Sequence, residues 1–199
     1  MTLKEKFISI LQETHRPGMD VVLANLEKEG FFEAPASARF HLNREGGLLE
    51  HSLNVYEAAL KVKEDMATLN PSLIARLPGD SIAISALLHD VCKSDIYHKE
   101  MLSRKTLDGR WEKYEGYKSD YTDSFPMGHG EKSVIMLLRW GLEMTDAEML
   151  AIRWHMAPWD LPLQSGEHKE SLNAAKSQSP LVALIQIADQ IATHLIETE

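Results

Sequence analysis

The chain has 199 residues, of which 44% are hydrophobic and 26% charged, with a formal net charge of −9. That composition fits a globular domain large enough to bury a proper core. It argues against two classes: no apolar run approaches the ~18 residues of a membrane-spanning helix, and an acidic chain without a basic cluster is not expected to bind duplex nucleic acid stably.

Taken in chain order, Thr2 with Glu5 forms a capping box that predicts a helix through about Glu13. This start lacks the apolar region and small-residue cleavage site of a signal peptide, so a cytoplasmic protein is expected. Cys92, the single cysteine, cannot form an internal disulfide, which agrees with a reducing compartment. A second helix is predicted from about Gly18 to Glu29, with Val22, Leu23 and Leu26 as its apolar stripe. "FFEAPASARFHLNREGG" reads as a loop, and "LLEHSLNVYEAALKVKEDM" as the third helix. "NPSLIARLPGD" is a connection, and "SIAISALLHDVCKSD" reads as a buried fourth helix.

After Lys93 the pattern changes. A Tyr-rich stretch carries Asp108–Gly109 between two candidate short strands, which predicts a hairpin-bearing excursion. Such insertions often form lids or binding loops. A fifth helix is predicted from about His129 to Trp140, and a Thr145/Glu148 capping box opens a sixth that ends near Met156. "APWDLPLQSGEHKESLNAAKSQS" reads as mostly loop. Ser179 and Pro180 suit the N-cap and first position of a last helix over residues 180–197. The expected fold class is all-α: a helical bundle with a short β-hairpin-bearing insertion around residues 97–127. It forms one domain over residues 1–199, with residues 1–40 as a helical extension packed on a core of 41–197.

Nine histidines is a high count, and several interrupt apolar helix faces. His51 shares a face with Leu48 and Val55, and His89 with Ile82 and Ala86. Asp90 follows His89, Asp189 lies with Ile185 and Ala192, His129 opens the fifth helix and His155 closes the sixth. A lone buried histidine is usually a hydrogen-bonded core residue. Four histidines and two aspartates on five helices are better explained by convergence on one centre, because a buried carboxylate without a partner costs several kcal/mol. Imidazole and carboxylate donors without thiolates suit Fe, Mn, Co, Ni, Zn or Mg. Six ligands exceed the four of a structural zinc and suit a two-metal centre with a bridging carboxylate.

The order His51, His89–Asp90, His129, His155, Asp189 resembles the HD superfamily of metal-dependent phosphohydrolases. "GGLLEHSL" is similar to the motif start in HD domains of bacterial 3′–5′ exoribonucleases, and "LLHDVCK" to the family's Leu-Leu-His-Asp-x-x-Lys. "FPMGHGEKS", "IRWHM" and "IADQ" fit the later positions, so the resemblance spans about residues 40 to 195 and is nearest to small stand-alone bacterial and phage members. It implies an HD core over 41–197. His51, His89, Asp90 and Asp189 would hold one metal, and Asp90 would bridge to a second held by His129 and His155. A metal-activated hydroxide would attack a phosphomonoester or phosphodiester, with Asp90 and Lys93 as catalytic residues and a small phosphorylated substrate, a nucleotide or short oligonucleotide. One departure is that cyclic-dinucleotide phosphodiesterases of this type carry a His–His pair where this chain has His155–Met156, and a Gly-Tyr-Pro signature it lacks. The alternatives are a non-catalytic metal-binding sensor module and a di-iron oxygenase.

Further candidates are weaker. His41 and Arg44 fit the site entrance, Trp159 could stack on a base, and Trp154 suits the core. Tyr114, Tyr117 and Tyr121 could line a pocket or pack the hairpin. His98, His168 and His194 read as surface residues. By helical rotation, Cys92 is expected to point away from the site.

Overall fold

The computed structural model describes residues 1–120, 125–156 and 165–198. Among these it forms α1 (Leu3–Glu13), α2 (Met19–Lys28), α3 (Gly47–Leu69), α4 (Gly79–Leu88), β1 (Tyr97–Lys105), β2 (Trp111–Ser119), α5 (His129–Arg139), α6 (Asp146–Trp154), α7 (Gly166–Gln178) and α8 (Pro180–Ile191). The all-α bundle with one hairpin therefore matches the sequence expectation. No single helix among the described residues is long and apolar enough to cross a membrane.

The helix α4 is the axis of the fold. Every residue from Ser81 to Asp90 is buried, as expected of a helix apolar on all sides. Ile82 and Ala86 join a cluster with Val55, Trp154, Ile185 and Ala188 from α3, α6 and α8. Ile84, Leu87 and Leu88 join the other, with Phe7, Leu11, Leu26, Leu53 and Leu137. Each fully buried Ile or Leu contributes about 1.5–3 kcal/mol, so α4, with α3 and α6, ties both halves of the core together.

Both predicted capping boxes form, at Thr2/Glu5 and Thr145/Glu148. Three expectations change. The stretch read as mostly loop contains α7, capped by Ser165; only Leu172 and Ala175 of it are buried, so its apolar stripe is too thin to register. The fourth helix stops at Leu88 and continues as a 3₁₀ turn over Val91–Asp95. The last helix stops at Ile191 and continues as a π-turn over Ala192–Ile196.

The hairpin pairs β1 and β2 antiparallel, from Tyr97 opposite Ser119 to Lys105 opposite Trp111. A lone two-stranded ribbon is marginal in water. This one is anchored at its base, where Ile96 is buried and its carbonyl accepts from Asp120 N at 2.9 Å.

A buried ion pair adds to the apolar packing of Phe7, Leu11 and Leu26 in fastening the N-terminal helices to the bundle. Arg16, after α1, forks onto Glu148 with contacts of 2.7 and 2.8 Å and reaches Asp80 at 2.9 Å. Glu148 is fully buried and also accepts from Ser81 Oγ at 2.7 Å and from Thr145 N at 2.8 Å. Removing one partner of such a pair strands a buried charge. Arg16→Met is therefore expected to destabilise the fold by about 3 kcal/mol, read as a lower urea midpoint at unchanged slope. Adding Glu148→Leu should recover part of that loss.

Candidate metal centre

Local backbone features aim the site residues inward. Gly46 opens α3 with φ +75°, and a Cβ on Gly47 would meet the Leu42 carbonyl oxygen at 2.1 Å. Only glycine lets α3 start against the 36–42 loop, which seats His51 at 1% exposure. Gly130 plays the same part in α5: a Cβ there would meet the Arg153 carbonyl oxygen at 2.2 Å, so His129 can approach the end of α6.

His89 and His155 share one device. Each is the C-cap of its helix, α4 and α6 respectively. His89 Nδ1 donates to the Ala86 carbonyl at 2.8 Å, and His155 Nδ1 donates to the Ile152 carbonyl at 2.7 Å. A carbonyl of the last turn, otherwise without a helical partner, is thereby satisfied. The ring is fixed with Nε2 bare and projecting past the helix end. Two helix C-termini, each carrying partial negative charge, thus face one centre and favour a cation there.

The Asp90 carboxylate lies at that centre, 1% exposed. Its Oδ2 is 3.2 Å from His89 Nε2, 3.6 Å from His51 Nε2 and 2.6 Å from Lys93 Nζ. Its Oδ1 is 2.5 Å from His129 Nε2 and 3.3 Å from His155 Nε2. The two oxygens therefore face different histidine pairs. Asp189, from α8, closes the first side, with Oδ1 3.3 Å from His51 Nε2. All six metal ligands expected from the sequence, and Lys93, lie together.

These donors fit a divalent cation. His155 Nε2 is buried without a hydrogen bond, and although it lies 3.3 Å from Asp90 Oδ1, its proton is on Nδ1. A lone pair facing a carboxylate oxygen is repulsive until a cation sits between them. His51 and His89 also face each other, Nε2 to Nε2, at 3.3 Å. His51 Nδ1 donates to Glu197 at 3.0 Å, and Asn54 Nδ2 donates to the same carboxylate at 2.9 Å. A ligating histidine held by a carboxylate behind it is the usual outer shell of a metal site.

Charge in the cluster is tightly balanced. Burial pulls the His51 imidazole down, but the Asp189 and Glu197 carboxylates outweigh it and raise it to about 9. Burial raises Asp90, yet Lys93, His89 and His129 hold it well below the usual carboxylate range. Asp189 is lowered in the same way, against burial, by His51. Lys93 is raised against its own burial by Asp90. Burial lowers His155 despite Asp90, so its ring is a neutral donor.

A cavity of about 900 Å³ opens onto Asp90, Lys93 and Asp189, with His41, Arg44 and Met156 among its lining. His41 stands 5.1 Å, ring to ring, from His51, and burial with the charges of His51 and Lys93 lowers it to about 4. Arg44 pairs with Glu50 at 2.6 Å. Trp154 is core, at 5% exposure. Tyr114 lies under the Arg104 guanidinium on the hairpin, and Tyr117 lines a separate groove against residues 37–40. His98 and His194 are exposed, and His168 contacts Ser165. Tyr121 and Trp159 fall outside the described residues.

Cys92 departs from expectation. Its Sγ, an Asp90 oxygen and a His129 nitrogen lie within 4.8 Å of one another. The 3₁₀ turn is the reason. At about three residues per turn rather than 3.6, Cys92 sits about 120° from Asp90 instead of nearly opposite, and Lys93 eclipses Asp90. Glu197 and Asn54 had no local sequence signal.

Comparison with known proteins shows the family. Residues 48–194 match the HD domain family, and the chain belongs to that family. A dihydroneopterin 2′,3′-cyclic phosphate phosphodiesterase from Methanocaldococcus jannaschii is 30% identical over 119 residues, covering 60% of this chain and 43% of that protein. The chain thus spans less than half the length of that curated relative. No solved structure matches it.

Two outcomes follow. In the metal-free protein, His51 is raised, so its stabilising contribution is complete below about pH 6.5 and is lost as pH rises through about 9. The loss is of the order of 3 kcal/mol, seen as a falling melting temperature in chelator that added Mn²⁺ reverses. Glu197→Ala should weaken metal affinity about 10–100-fold at an unchanged circular-dichroism spectrum, read by chelator competition.

Proposed function

We propose that the chain is a hydrolase of phosphoric esters that works with two divalent cations and acts on a small phosphorylated substrate of nucleotide type. The observation that supports this most is the division of Asp90: Oδ2 faces His51 and His89, and Oδ1 faces His129 and His155. On this reading His51, His89, Asp90 and Asp189 would hold one cation, and Asp90, His129 and His155 the other. When bound, the cations supply Lewis acidity that polarises a phosphoryl oxygen and makes water a nucleophile at neutral pH.

The chain's own residues do the rest. Asp90 fixes the spacing of the two positions. Glu197 and the carbonyls of Ala86 and Ile152 hold His51, His89 and His155 in one tautomer each, with Nε2 directed at the centre. Lys93 is buried and lines the cavity, where its ammonium can meet a phosphate oxygen and charge developing on it. The cavity is within the usual size range of small-ligand sites, which favours one nucleotide-sized molecule over a polymer. The relative is named as a phosphodiesterase of dihydroneopterin 2′,3′-cyclic phosphate, which supports trying 2′,3′-cyclic phosphodiesters first.

The test is hydrolysis of 2′,3′-cyclic nucleotides and of nucleoside monophosphates, with Mn²⁺, Co²⁺ or Fe²⁺ and with chelator. Asp90→Asn should lose both metal and turnover. Lys93→Ala should keep its metal and lose about 10²–10³ in kcat. Full metal occupancy in Asp90→Asn, or oxygen-dependent turnover with iron and none on any phosphoester, would sink the proposal in favour of other ligands or of oxygenase chemistry.

A further inference from the structure

The second cation position, as proposed above, has three protein ligands, His129, His155 and one oxygen of Asp90, and a fourth potential donor stands beside it. Cys92 is the only cysteine in the chain and is fully buried. A buried free cysteine ordinarily packs as a small hydrophobe. This one belongs to neither of the two apolar clusters of the core. Two polar groups stand beside it: Sγ shares a space within 4.8 Å with Asp90 and His129. Its backbone N–H donates to Ser133 Oγ at 3.3 Å, which ties the 3₁₀ turn to the helix that carries His129. A separate observation points to the same place. His155 Nε2, buried and without a hydrogen bond, is directed at Asp90 Oδ1 from the end of α6.

We propose that Cys92 is a protein ligand of the second cation position, completing a donor set of two imidazoles, one carboxylate oxygen and one thiolate. The proposal rests on the two-cation reading. Coordination replaces the S–H bond with an S–metal bond and releases one proton to solvent. The consequence is selectivity. Nitrogen and oxygen donors alone accept Mn²⁺ and Mg²⁺, whereas a thiolate favours softer ions such as Zn²⁺. The first position, with two imidazoles and two carboxylates, has no such bias, so the two positions need not prefer the same metal.

Cobalt substitution tests this without reference to turnover. The metal-stripped chain is reconstituted with Co²⁺, its cobalt content measured, and its near-ultraviolet spectrum recorded. Because the chain has one cysteine, a thiolate-to-cobalt charge-transfer band can arise only from Cys92. The expected result is two cobalt ions per chain and that band. Cys92→Ser and Cys92→Ala should lose the band, keep the weaker visible absorption of cobalt held by nitrogen and oxygen, and bind zinc at one position about tenfold or more weakly. Two cobalt ions without the band overturn the role of Cys92 and leave the two-cation reading standing. One cobalt ion with the band overturns the two-cation reading and leaves Cys92 a ligand; one without it overturns both. The wild-type spectrum decides the matter even if neither variant folds.

Discussion

The carboxylate of Asp90 is the constraint around which the rest is arranged. It sits at 1% exposure where α4 ends, and Lys93, His89 and His129 keep it ionised there. An isolated buried carboxylate would cost several kcal/mol or take up a proton. Here Lys93 holds Oδ2 at 2.6 Å, while His129 holds Oδ1 at 2.5 Å. Asp90 stays ionised for that reason, and an ionised carboxylate with both oxygens engaged from opposite sides is what bridging two cations requires.

The fold supplies the second half of the arrangement through its helix ends. Five elements deliver donors, and two do so by the same means: a C-cap histidine whose Nδ1 closes a carbonyl of the last turn. This couples site geometry to helix termination. A change that extended α4 or α6 by one residue would move the imidazole and also restore an unsatisfied carbonyl. The glycines at 47 and 130 act one level earlier, by letting α3 and α5 come close enough for His51 and His129 to reach the same carboxylate. The apolar faces of α4 then fix the distance between the helix pairs, so the packing of Ile82, Ile84 and Leu87 contributes to the site without touching it.

What could be read from the sequence was whatever depends on local spacing. The two capping boxes are four-residue patterns and form as written. His51, His89 and Asp189 stand out because each breaks an apolar period, and Asp90, His129 and His155 stand beside one or at a helix end. What could not be read depends on backbone detail or on distance along the chain. The α4 helix ends at Leu88 because the ring of His89 satisfies the Ala86 carbonyl, and a letter code does not give a ring orientation. That ending turns Cys92 toward His129, whereas a continued α-helix would have turned it away. Glu197 reaches His51 from 146 residues away. Its own N–H donates to the Ala192 carbonyl five residues back rather than four, and this wider π-turn rotates the Glu197 side chain inward. Nothing in "LIETE" marks that. The helix α7 buries only Leu172 and Ala175, so it is held by its Ser165 cap and by tertiary contact more than by any stripe.

The charge lining the cavity sets an order of events on the proposed reading. Four carboxylates, those of Glu50, Asp90, Asp189 and Glu197, face two fixed cations, Arg44 and Lys93. Of those two, Lys93 is committed to Asp90 and Arg44 to Glu50. His51 and His129, both raised, offset the remaining two carboxylates, so a phosphate ester entering the cavity would meet no excess of positive charge. Bound divalent ions, the largest local charges in a site of this kind, would supply one. On that reading phosphate affinity would depend on prior loading of the cation positions, and Lys93 would be freed toward substrate to the extent that the cations took over the neutralisation of Asp90. The lysine and the metals are then not two independent contributions. They share one carboxylate, and the way that carboxylate is shared determines when the ammonium is available to a phosphate oxygen.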